Sequence, residues 1–154
     1  MTIRPSSAQD LPEWLRMRSA LWPDCSAERH ELEIRQLTAS AGAGVVLVAV
    51  RDTGALCGFA ELSVRSDHVD GASAVPVAYL EGWYVDADVR GHGIGRQLLE
   101  AAEKWAATRG LKELASDAEL DNQISLQAHR SCGFRETCRA VHFIKPITAS
   151  PGKC

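Results

Sequence analysis

The chain has 154 residues, is 45% apolar and 24% charged, and carries a formal net charge of −3. These values fit one ordinary globular domain with a sizeable core. They argue against a nucleic-acid partner and are compatible with a cationic small substrate. No run of about 18 apolar residues is present to span a membrane, and the N-terminal MTIRPSSAQD lacks an apolar signal core, so a cytoplasmic location is expected. The five cysteines are odd in number and lack C-x-x-C spacing. They read as reduced thiols rather than a disulfide frame, and no metal site is expected.

In chain order, Thr2-Ile3-Arg4-Pro5 forms a short first strand, and Ser7 caps a helix over roughly residues 8–20. Leu21-Trp22-Pro23-Asp24 breaks that helix, and Ser26 opens a second one carrying Leu32, Ile34 and Leu37. A loop at Ala41-Gly42-Ala43-Gly44 precedes a buried strand from Val45 to Val50, which turns at Asp52-Thr53-Gly54 into a strand from Leu56 to Arg65. Residues 66–76 are rich in turn formers and read as a long loop. Tyr79 to Val85 is the central strand. Leu111 to Ser116 is another strand, Asn122 or Ser125 starts a helix through Arg130, and Phe134 to Ile147 makes a final strand or hairpin. Residues 1–147 read as a single domain, and 148–154 as a mobile tail.

Between the central strand and the next lies the most informative stretch, Arg90-Gly91-His92-Gly93-Ile94-Gly95, followed by a helix. Ile94, Leu98, Leu99, Ala102, Trp105 and Ala106 form one apolar stripe of that helix, and Gly110 ends it. Unpaired N–H groups at a helix N-terminus, approached closely through glycines, suit a phosphate or pyrophosphate. A P-loop is ruled out because Arg96-Gln97 stands where Lys-Ser/Thr is needed. A dinucleotide fingerprint fails because Arg96 occupies the third glycine position.

What remains, Arg-x-x-Gly-x-Gly, resembles the pyrophosphate-binding motif of the GCN5-related N-acetyltransferases (GNAT). The element order β-α-α-β-β-β-α-β-α-β resembles the same family over nearly the whole chain. The resemblance implies an α/β (α+β) GNAT fold, a mixed, mostly antiparallel twisted sheet flanked by about four helices. It also implies acetyl-CoA as cosubstrate. Leu21-Trp22-Pro23, Gly58-Phe59-Ala60-Glu61, Leu80 to Val85, Ala115-Ser116-Asp117 and His129 through Thr137 resemble, in this order, the aminoglycoside 6′-N-acetyltransferases, which are antibiotic-resistance enzymes.

That closer resemblance implies site residues. Trp83, Tyr84 and Val85 would meet acetyl-CoA through their backbone. Gly91, His92, Gly93, Ile94, Gly95 and Arg96 would take its pyrophosphate, and Asn122 would reach it from the opposite side. Trp22, His68, Glu81 and Asp117 would bind the polycationic antibiotic. A usually acidic position is Cys138 here, and Glu136, two residues away, is its expected substitute. Glu81 and His129 are the expected proton acceptor and donor, and a homodimer is implied by resemblance alone.

Bland readings stand beside these: a salt-bridged strand residue for Glu81, a turn former for Asp117, a loop anchor for Trp22, a solvated histidine for His68, an N-cap for Asn122 and a helix-face histidine for His129. A GNAT enzyme for another amine (a polyamine or protein N-terminus) and a non-catalytic acetyl-CoA-binding module are the alternative functions.

Overall fold

The computed structural model describes residues 1–39 and 42–147. Five strands form one sheet in the order β1 (Thr2–Pro5), β2 (Gly44–Val50), β3 (Leu56–Arg65), β4 (Val77–Val85) and β5 (Leu114–Ser116). The first three pairings are antiparallel and β4–β5 is parallel, so the sheet is mixed and mostly antiparallel as expected. Four helices flank it: α1 (Leu11–Leu21), α2 (Ala27–Ala39), α3 (Ile94–Ala107) and α4 (Gln123–Ser131).

The helices divide between the two sheet faces according to strand alternation. Ala60, Leu62 and Leu80 face α3, whose Ile94, Leu98, Leu99 and Ala102 are buried in the same core. Each of these buried leucines contributes roughly 2 kcal/mol through lost apolar exposure. On the other face, Val46, Val48 and Phe59 pack against Trp14 and Met17 of α1 and Ile34 of α2.

The first helix starts later than its sequence suggests. Residues 8–10 make a 3₁₀ turn, in which the Ser7 N–H and hydroxyl both donate to the Asp10 carboxylate at 2.7 and 2.9 Å. Pro12 then sits in the first turn of α1, where its missing N–H would have had no helical partner. Expected boundaries shift elsewhere too: β2 begins at Gly44, and β5 keeps only the last three residues of the stretch from Leu111.

One expectation is overturned. Residues 134–147 join no strand or hairpin and run without regular structure. Val141, Phe143, Ile144 and Ile147 are 70–98% exposed. An apolar β-prone sequence becomes a strand only where a neighbouring edge takes its backbone groups, and among the described residues this segment pairs with none. Ala41 of the expected loop and the expected tail at 148–154 lie outside the described residues.

Two irregularities in β4 shape the cleft beside it. Glu61 of β3 stands opposite Gly82, but its neighbour Leu62 stands opposite Leu80, so Glu81 is an extra residue in β4. This bulge turns the Glu81 side chain onto the α1–α2 face, where it meets Ser63. On the far side, β4 pairs with β5 only over Ala78–Leu80, and residues 81–85 splay away from it.

Candidate active site

The glycine turn holds the expected geometry. Gly91 and Gly93 have φ of +79° and +81°, and a Cβ at either would meet nothing within 4 Å. The first helical bond of α3 runs from the Gln97 N–H to the Gly93 carbonyl at 3.0 Å. The N–H groups before it therefore face outward from the helix end. Arg90 donates Nε to the Val85 carbonyl at 2.8 Å, tying the turn to the end of β4. His92 bonds back to the Arg90 carbonyl, and Arg96 donates to the Ser131 carbonyl at the end of α4. Gly95 is needed for a different reason: a Cβ there would come within 2.9 Å of the Trp83 ring. An open anion cradle beside a splayed strand fits a long ligand with a diphosphate and amide groups, as acetyl-CoA has.

At the splay, His129 of α4 is wedged between Trp83 and Phe134, with ring centroids at 5.4 and 5.0 Å. Its Nδ1 lies 2.8 Å from the Ser125 carbonyl and its Nε2 lies 2.9 Å from the Ser116 hydroxyl. Asn122 caps α4, accepting the Ser125 N–H at 3.0 Å, so the N-cap reading of this residue holds in the structure.

On the α1–α2 face lies a cleft of about 1100 Å³. Trp22, Glu61, Ser63 and Glu81 line it. Its acidic character is pronounced: Asp24, Glu33, Glu61, Glu81 and Glu119 stand against the guanidiniums of Arg18 and Arg29. Trp22 packs on the bulged strand above Gly82 and lies 6.4 Å from Phe59 between ring centroids.

Glu81 and Asp117 are joined through two residues that sequence reasoning missed. Arg65 donates Nε and Nη2 to Glu81 at 3.0 and 2.6 Å, and Ser63 donates its hydroxyl at 2.5 Å. The same guanidinium stacks 3.3 Å over the Tyr79 ring, and the Tyr79 hydroxyl donates to Asp117 at 2.6 Å. Burial, followed by the Asp117 hydrogen bond and charge, pushes the Tyr79 phenol well above its ordinary range.

Glu61 and Arg18 were also missed as site residues, although a glutamate inside the apolar run LCGFAELSV was the visible signal.

Two expected substrate residues lie apart from this cluster. His68 is exposed and among the described residues pairs with Asp70 alone, at 3.0 Å. Glu136 is exposed and clamped by Arg130 and Arg139, whose hydrogen bonds hold its carboxyl down to about 2. Neither lines the cleft. Among the described residues no group of three or more His, Cys, Asp or Glu side chains could hold a metal ion.

A five-stranded mixed sheet, a bulged central strand splayed from its parallel neighbour, and a glycine cradle on the next helix define an acyl-CoA-dependent transferase fold. The acetyltransferase (GNAT) family model matches residues 11–134, and the chain belongs to that family. It is 42% identical over 149 residues to an aminoglycoside N(6′)-acetyltransferase type 1 of Stenotrophomonas maltophilia, covering 97% of this chain and 95% of the relative. A Klebsiella aerogenes protein of the same name is 42% identical over 147 residues, with 94% and 96% covered. Among solved structures, the apo aminoglycoside 6′-N-acetyltransferase AAC(6′)-IG of Acinetobacter haemolyticus superposes with a TM-score of 0.89 at 40% identity, covering 96% of this chain and all of the other. AAC(6′)-Iy bound to the bisubstrate analogue CoA-S-monomethyl-acetylneamine superposes at 0.87 and 32% identity, covering 95% and 98%.

Proposed function

We propose that this chain is an acetyl-CoA-dependent aminoglycoside 6′-N-acetyltransferase, a single domain over residues 1–147 that confers antibiotic resistance. The observation that carries the reading is the juxtaposition of an acidic cleft with the splayed β4 and its glycine cradle. A polyammonium sugar needs several carboxylates and a flat apolar face, which Glu81, its acidic neighbours and Trp22 supply.

When bound, acetyl-CoA supplies the activated acetyl group. The outward N–H groups between Gly91 and Arg96 would hold its pyrophosphate, and the backbone of Trp83, Tyr84 and Val85, whose last carbonyl already accepts from Arg90, would pair with its amides. Asn122, its oxygen engaged in capping, would offer its amide nitrogen from the other side. Glu81, Asp117 and Trp22 would orient the acceptor amine toward the bulge, where a backbone N–H of β4 can polarise the reacting carbonyl. His129, linked to Ser116, would hold a proton at the splay for the departing thiolate.

We further read the protein as a cytoplasmic homodimer. Among the described residues no helix is long and apolar enough to cross a membrane. The exposed Val141, Phe143, Ile144 and Ile147, together with the short β5 strand, are surfaces that a second copy would cover.

The decisive experiment is thiol release from acetyl-CoA with two matched aminoglycosides, one with a 6′ amine and one with a 6′ hydroxyl. Turnover is expected on the amine alone. Equal turnover on both would refute 6′ transfer, and turnover on neither would refute the aminoglycoside reading.

A further inference from the structure

Glu61 is 1% exposed, yet it lines the floor of the acidic cleft beside the β4 bulge. Its Oε1 accepts the Trp14 indole N–H at 2.7 Å and lies 3.3 Å from Nη1 of Arg18. Arg18, also buried, donates Nη2 to Glu33 of α2 at 2.5 Å. Its Nε and Nη1 have no hydrogen-bond partner among the described residues.

The other carboxylate at the bulge, Glu81, is engaged at both oxygens by Arg65 and Ser63. Taking a proton there would break a bidentate ion pair. Glu61 has only one oxygen so engaged, and no hydrogen bond to Oε2 is found among the described residues.

Resting on the acetyl-transfer reading above, we propose that Glu61, through its unengaged oxygen, accepts the proton of the acceptor ammonium, while Glu81 with Arg65 positions that amine. The step balances simply. One N–H bond of the ammonium breaks, its electron pair stays on nitrogen as the attacking lone pair, and the proton forms an O–H bond on Glu61. A cation and an anion become two neutral groups, which a buried site favours. A second nitrogen proton leaves with the thiolate to give the free thiol, and Glu61 returns its proton to solvent through the cleft.

The surroundings tune Glu61 for this task. Burial pushes its carboxyl up to about 7, opposed by the Arg18 charge and the Trp14 hydrogen bond, and assisted by Glu33 from α2 and Glu81 from β4. A base poised near the working pH accepts protons readily while about half of it remains ionised.

The test uses the full chain with neamine as acceptor. Glu61→Gln keeps an oxygen for Trp14 while removing the proton acceptor and its charge beside Arg18. It should lower kcat by about 10²-fold or more, leave acetyl-CoA affinity unchanged, and abolish the acidic limb of the kcat–pH profile near neutrality. Independently of turnover, infrared difference spectra of wild type should show a protonated carboxyl that titrates near neutral pH and is missing in Glu61→Gln. Should that variant not fold, Glu61→Asp should retain the limb at reduced kcat.

A wild-type kcat in Glu61→Gln, an unchanged limb, or no such carboxyl band would overturn the assignment while leaving the acetyl-transfer reading intact. If wild type turns over neither neamine nor spermidine, the acceptor-site reading fails and the proton-acceptor role falls with it.

Discussion

Trp22 lies so close over Gly82 that a Cβ at that glycine would come within 2.6 Å of the indole ring. The contact joins the α1–α2 connection to the bulged strand and sets one wall of the acidic cleft. Replacing Gly82 with Ala must displace the ring or the Phe59 edge, which lies at 3.2 Å. Overpacking of this kind costs about 1–3 kcal/mol. The expected outcome is a lower melting temperature with a raised KM for the aminoglycoside and little change in acetyl-CoA affinity. Unchanged acceptor KM would place Trp22 outside the binding wall.

Asp117→Ala removes the acceptor of the Tyr79 hydroxyl. Aminoglycoside affinity should fall by about tenfold or more, consistent with losing a hydrogen bond to a charged group. Calorimetry with acetyl-CoA should show near wild-type binding. The Tyr79 phenol, freed from the neighbouring negative charge, should titrate at lower pH by ultraviolet absorbance. Equal loss of both ligands would indicate misfolding instead.

Gly93→Asp acts on the opposite half of the site. The position has φ of +81° with space for a side chain, so the substitution fits sterically but carries about 1–2 kcal/mol of left-handed strain. Its carboxylate would stand against the pyrophosphate. Acetyl-CoA affinity should drop sharply while aminoglycoside binding persists, and an unchanged acetyl-CoA dissociation constant would sink the cradle assignment.

Glu61 also predicts how stability depends on pH. Its carboxyl titrates near 7 in the folded chain, above the ordinary glutamate value of 4.5. Between these values the folded state holds a proton that the unfolded chain has released. The resulting stabilisation is complete below about pH 4.5 and is lost as pH rises through 7. Glu61→Gln should remove this decline, so its melting temperature relative to wild type should rise between about pH 5 and 8. Parallel curves for the two proteins would contradict the raised value. In the acid limb the sign reverses for Asp10, whose carboxyl Arg4 holds below the ordinary aspartate range. Its contribution is present above about pH 3.8 and is lost on further acidification.

Much of this protein was legible one residue at a time. The stripe from Ile94 to Ala106 and the positive-φ glycines at Gly91 and Gly93 are local properties, set by helix period and by the absence of a Cβ. They sufficed to place the glycine turn at the head of α3 and, with the surrounding matches, the family. What only the tertiary structure decided depends on groups distant in sequence. Whether Phe134 to Ile147 becomes a strand depends on a neighbouring edge, and periodicity carries no information about that edge. Arg65 and Tyr79 read as ordinary strand residues until the bulge at Glu81 turns its carboxylate toward Arg65, and the packing of β4 beside β5 brings Asp117 to Tyr79. Glu61 and Arg18, 43 positions apart, acquire their meaning only when α1 folds over β3 and removes both charges from water.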